Sequence, residues 1–164
     1  MIKKVVVRVK DRDKHVYEKR AKKHDFLKYW RPVKYYIKRK YNLSQAELEM
    51  ILYLYDADVF TKDEFNEFAS MLAWDKGRFK AMMDKGLIRK WRDGQRKVAH
   101  LYELTQQAKL ICNQTYKKLL QEEHISEDPY QNDMMKRKSY SDKVYSAIIK
   151  KMNAKKKGSN KPPL

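Results

Sequence analysis

The chain has 164 residues, enough to bury one substantial core and too few for two large domains. Its 39 Lys and Arg against 21 Asp and Glu give a formal charge of +18, and the excess sits at the ends: residues 1–42 carry +12, 43–133 carry −3 and 134–164 carry +9. Such ends favour a polyanionic partner; a single cysteine, Cys112, excludes an internal disulfide, and no run of eighteen apolar residues offers a membrane span.

The opening MIKKVVVRVKDRDK has too short an apolar run for a signal peptide, so the expected setting is the cytoplasm, or a particle packaged with nucleic acid if the protein is viral. Residues 1–24 read as a basic arm. Within it, 2–9 form one short strand that needs a partner edge from the hairpin described below, a second subunit or another protein, and 11–23 form an exposed helix or an arm ordered on binding. From 25 to 41 Phe26, Trp30, Val33, Ile37 and Tyr41 recur at helical spacing with Tyr29 and Tyr36 beside them. Pro32 predicts a kink there, or a helix that starts at that residue. The opposite face holds Lys28, Arg31, Lys34, Lys38 and Arg39, directed at solvent or at phosphate.

Ser44 to Glu47 is a capping box stapled by Leu43 and Leu48, and it opens a helix through LEMILYLYDA with Leu48, Ile51, Leu52 and Tyr55 inward. Thr61 to Glu64 repeats the device with Phe60 and Phe65, followed by Phe68, Ala69 and Leu72, while Asp63, Glu64 and Glu67 make the outer face acidic. The next stretch, WDKGRFKAMMDKGLIRKWRDGQRK, predicts a helix capped by Asp75 and stapled by Trp74 and Phe79, with Phe79, Met82 and Met83 inward. Lys76, Gly77, Arg78, Lys80 and Ala81 are left outward. Gly86 ends it, 87–91 has strand character, Asp93-Gly94 signals a two-residue hairpin, and 98–104 returns with Val98, Tyr102 and Leu104 on one face. Helix, turn, helix and basic hairpin together predict a mainly α fold with a small β-hairpin: a winged helix-turn-helix.

Thr105 caps a long helix to about Glu123 with Ala108, Ile111, Cys112, Thr115, Leu119 and Leu120 along one side. EEHISEDPYQND reads as an acidic connector. Ser141 starts a last amphipathic helix with Val144, Ile148 and Met152 on one face and Tyr145 and Ile149 adjoining, and 153–164 reads as a disordered basic tail. The predicted divisions are therefore an arm (1–24), a winged core with flanking helices (25–126), a connector with a C-terminal helix (127–152) and a tail (153–164).

Over about 33–126 the order of these pieces resembles the multiple-antibiotic-resistance regulator (MarR) family. The similarity lies in LSQAELEMILYLY, FTKDEFNEFA, FKAMMDKGLIRK and LYELTQQAKLI. The resemblance implies an α-rich, dimeric winged helix-turn-helix that reads the major groove with Lys76, Gly77 and Lys80 and touches phosphate or minor groove with 89–97. The chain departs from the family pattern at Arg96-Lys97-Val98, where an Asp-x-Arg element is absent, and at Arg78, where an apolar residue is usual. Its basic ends are not family features and fit a divergent member, such as a phage-encoded one.

The predicted nucleic-acid contacts are Lys76, Gly77, Arg78, Lys80, Arg89, Lys90, Arg92, Arg96 and Lys97, with duplex DNA the favoured partner and transcriptional regulation the function. The alternative is a winged-helix structural component of a nucleoprotein assembly, binding without sequence preference. An enzyme is disfavoured: His15, His24, His100 and His124 have no metal-ligand spacing, and four glycines make no phosphate loop. No cofactor, metal or membrane is implied, and no effector can be named. A homodimer is expected because the helices at 25–41, 105–123 and 141–152 carry more apolar face than one three-helix core covers.

Overall fold

The computed structural model of the chain describes residues 2–6, 16–20, 26–72, 77–96 and 98–159, with side chains over 26–72, 77–96 and 98–154. β1 (Ile2–Val6) pairs antiparallel with β2 (Val16–Arg20), Ile2 opposite Arg20 and Val6 opposite Val16. The partner edge expected from elsewhere thus comes from the arm itself, and residues 16–20 are strand rather than helix. Val16 and Tyr17 are good strand formers, and closing a short local hairpin costs less chain entropy than recruiting a distant edge.

α1 (Phe26–Tyr41) runs through Pro32 instead of starting there. Proline removes one intrahelical donor, but the Pro32 ring is buried with Tyr29, Val33, Tyr36 and Ile37, and packing on two later helices offsets the loss. Phe26, expected on the apolar face, is exposed, and the buried stripe is rotated toward 29, 33, 36 and 37. α2 (Gln45–Tyr53) and α3 (Lys62–Met71) start at the two predicted boxes. Ser44 Oγ accepts from the Glu47 amide at 3.1 Å while Glu47 Oε2 accepts from the Ser44 amide at 2.7 Å, and Thr61 and Glu64 do the same at 3.2 and 2.6 Å. The staple residues Leu43, Leu48, Phe60 and Phe65 are all buried. α2 is shorter than the LEMILYLYDA pattern predicts and passes into a 3-10 turn at Leu54–Asp56, which sends Leu54 into the core beside the equally buried Met50.

α4 (Arg78–Asp84) is followed by β3 (Ile88–Arg92) and β4 (Leu101–Leu104), so α3, α4 and the β3–β4 hairpin form a winged helix-turn-helix in a mainly helical chain. α5 (Gln106–Leu119) is capped by Thr105, whose hydroxyl accepts from the Ala108 amide at 3.3 Å, and it stops before the predicted Glu123 because Gln121 turns left-handed. The acidic segment beyond it, read as a connector, is packed against the protein. Ile125 is buried, its peptide bonded on both sides to the Asn153 amide (3.3 and 2.9 Å), and Met134 and Met135 bury from a 3-10 turn at Asp133–Lys136.

α6 (Tyr140–Ser159) begins with Ser139, not Ser141, as its box residue: the Asp142 amide donates to Ser139 Oγ and the Ser139 amide to Asp142 Oδ2, both at 3.1 Å. The helix continues through 153–159, so most of the stretch predicted as disordered is helical. Its buried side is Asp142, Ser146, Ile149, Met152 and Asn153, leaving Val144 largely outside. The core lies where α1, α2 and α5 meet, with Val33, Ile37, Leu48, Ile51, Ala108, Ile111 and Cys112 almost wholly covered. Burial pushes the Cys112 thiol up to about 12, which makes it an inert packing group.

Candidate nucleic-acid interface

The winged unit is held by one aromatic cluster that local sequence alone would not assemble. Phe65 of α3 meets Phe79 of α4 edge-on at 5.0 Å, and Phe79 meets Tyr102 of β4 at 4.8 Å. Phe60, just before α3, stacks on Tyr102 and exchanges two backbone hydrogen bonds with it at 2.9 and 2.8 Å. Each such pair adds roughly 0.5–1.5 kcal/mol beyond its buried area. Consequently α3, α4 and the hairpin are joined through one buried cluster.

Phe79 and Met82 of α4 are buried and Met83 is partly so, as the helical spacing predicts. Gly86 has φ +72°, the Gly86 amide donates to the Met83 carbonyl and the Leu87 amide to the Met82 carbonyl, both at 2.9 Å, which is the Schellman arrangement of a glycine stop. The described helix starts at Arg78 with Gly77 as its exposed cap residue and no side-chain cap. Asp75, Trp74 and Lys76 lie outside the described residues, as does Lys97.

The predicted two-residue hairpin does not form. Ile88 pairs with Leu104, Arg89 with Glu103 and Lys90 with Tyr102; a bulge then places Arg92 opposite Leu101, so the connection spans 93–100. A tight turn at Asp93-Gly94 would have set Lys90 opposite Lys97 and carried Tyr102 and Leu104 beyond the pairing. Burial of Ile88, Tyr102 and Leu104 against the core fixes the observed register instead. Val98, expected inward, is exposed in that loop. Gly94 is needed for another reason: its amide donates to His100 Nδ1 at 3.1 Å, and a Cβ there would run into the backbone of 98–100.

The predicted contacts fall into two groups. Lys80, Arg92 and Arg96 are exposed and make no ion pair among the described residues; Arg92 lies over the Trp91 ring at 5.5 Å and Arg96 has φ +53° in the loop. Arg78, Arg89 and Lys90 are engaged, while Lys76 and Lys97 lie outside the described residues. Arg89 donates to Glu103 Oε1 at 2.7–2.8 Å, and Lys109 of α5 reaches the other Glu103 oxygen at 3.3 Å. Burial opposes the charge on Glu103, but these two cations outweigh it and hold its carboxyl below the ordinary range. Lys90 pairs with Asp93 at 2.7 Å, and that hydrogen-bonded contact lowers the Asp93 carboxyl and raises the lysine. Arg78, expected outward, is half-buried and lines a pocket with Ser44, Glu47, Ala81 and Met82. Lys85, not predicted as a site residue, clamps α4 to α2 through Glu47 at 2.7 Å and the Asn42 carbonyl at 2.6 Å.

Among the described residues there is no group of acidic, histidine or cysteine side chains that could hold a metal ion, and no helix is long and apolar enough to cross a membrane. No protein-family model and no curated protein matches the chain. Among solved structures, the chain is similar to a cysteine-to-serine mutant of MarR from E. coli crystallised with operator DNA, at 19% identity and a TM-score of 0.42, over 76% of this chain and 84% of that one.

Proposed function

We propose that the protein binds duplex DNA through α4 and the β3–β4 hairpin and acts as a transcriptional regulator. The observation that carries this reading is the union of a helix-turn-helix with a hairpin on one aromatic cluster, presenting Lys80, Arg92 and Arg96 outward with no ion pair among the described residues. In this reading α4 lies in the major groove with Lys76, Gly77, Arg78 and Lys80 along its approach, and the hairpin follows a phosphate ridge or minor groove with Arg92, Arg96 and Lys97. Arg89 and Lys90 contribute by exchanging their carboxylate partners for phosphate. A homodimer belongs to the same reading, with exposed Leu110 and Tyr116 of α5 as apolar surface for it.

The test is a binding series on a random duplex at several salt concentrations. Arg92→Ala with Arg96→Ala should lower the slope of log affinity against log salt by roughly two, since each phosphate contact contributes about 0.9. An unchanged slope removes the hairpin from the interface. A second reading, a structural component of a nucleoprotein assembly, is favoured by the charge excess outside the winged unit and is distinguished by equal affinity for all duplex sequences or preference for RNA.

A further inference from the structure

We propose that α1 carries a second, sequence-independent contact for the phosphate backbone, formed by Arg31, Lys34 and Lys38. The proposal rests on the reading of the chain as a nucleic-acid-binding protein, but on different elements: α1 packs chiefly on α5 and α6, whereas α4 packs on α3 and β3. In sixteen residues α1 has six cations and no acid. Its buried residues, 29, 32, 33, 36 and 37, occupy one side, and spacings of three and four place Arg31, Lys34 and Lys38 together on the other.

Among the described residues none of these three cations has a carboxylate partner, whereas the neighbouring Arg39 does. Arg39 is drawn into the protein by the wholly buried Asp142 at 2.9 Å, and Lys40 reaches Gln114 at 3.3 Å. Lys34 lies over the Trp30 ring at 5.6 Å, and none of Arg31, Lys34 and Lys38 has an ion pair among the described residues. Like charges three and four apart cost a helix a few tenths of a kcal/mol per pair, so this face gains from an external polyanion. At 1.5 Å per residue, Arg31 to Lys38 spans about 10 Å, a length over which one DNA strand presents about three phosphates.

Other occupants fit less well. Two copies of the stripe repel each other. A membrane-lying helix needs apolar residues flanking its cations, and here the apolar side is buried in the core with only Phe26 and Leu27 exposed at one end. Contacts to phosphate carry no sequence information directly, hence the lack of sequence preference.

The experiment uses the full chain and a random duplex of about 30 base pairs, with affinity followed from about 50 to 200 mM salt. Arg31→Gln/Lys34→Gln/Lys38→Gln should lower the salt slope by about 2.7 and weaken all sequences equally, Lys38→Gln alone should lower it by about 0.9, and Arg31→Lys/Lys34→Arg/Lys38→Arg should keep it. The single variant reports even if the triple one folds poorly. Unchanged slopes with normal wild-type binding overturn the stripe and leave the winged-helix reading intact. A slope lost in the triple variant but kept after Arg92→Ala/Arg96→Ala supports the stripe and sinks the winged-helix interface. No duplex binding by the wild type, or a stripe that matters only for phosphatidylserine vesicles or self-association, overturns the proposal.

Discussion

The winged unit and α1 use their cations in opposite ways. Around the hairpin, cations are interleaved with acids: Arg89 and Lys109 share Glu103, Lys90 holds Asp93, and Lys85 holds Glu47. Along α1 no acid is available within the helix, and among the described residues only Arg39 finds carboxylates, Asp142 of α6 at 2.9 Å and Asp133 of the 3-10 turn at 3.9 Å. The first arrangement fixes shape and leaves a few selected charges free. The second leaves an almost continuous charge without a fixed mate. A surface that must fit a groove benefits from rigidity, while one that follows a backbone needs only density of charge.

Three perturbations would break or sharpen this contrast. The largest effect is expected from Phe60→Ala, which empties the site joining α3 to β4 and should cost about 3–5 kcal/mol. Amide exchange should quicken more in the hairpin than in α1, because the lost ring contacts belong to the winged unit. Equal acceleration in both would mean that the two regions are not separable.

Acid comes next. The Glu47, Asp93 and Glu103 carboxyls are held below their ordinary values, so their pairings contribute stability that is complete above the unfolded-state values and is lost as pH falls through the lower folded ones. The window therefore lies below about pH 4.5. Chemical-shift titration should show the hairpin responding there while residues 28–38 of α1, which contain no acid, stay still. A response of α1 as large as that of the hairpin would contradict the contrast.

The smallest effect is Glu103→Gln. Removing that charge leaves Arg89 and Lys109 without their shared acceptor charge, which should lower stability by no more than about 1 kcal/mol at so exposed an arginine. Duplex affinity should rise, because Arg89 then meets phosphate without first giving up a carboxylate. A flat response would show that Arg89 never trades its carboxylate for phosphate.

What the sequence determined by itself were features closed within four or five residues. The boxes at Ser44–Glu47 and Thr61–Glu64, the Thr105 cap and the Gly86 stop are each made by a side chain or backbone group bonding to its own neighbourhood, so pattern and outcome coincide. The order of helices and the presence of a hairpin followed from these. The tertiary structure decided the rest, because the competing options were locally equivalent. Asp93-Gly94 can make a tight turn, yet Tyr102 is bound to Phe60 and the register obeys that distant bond. Pro32 can open a helix, yet its ring is buried and the helix runs through it. Arg39 looked like one more surface cation of α1 until Asp142, 103 residues away in sequence, was brought beside it. Which charges remain free for a partner is settled only when the chain has chosen which of them to satisfy itself, and that choice is made by contacts between residues far apart along it.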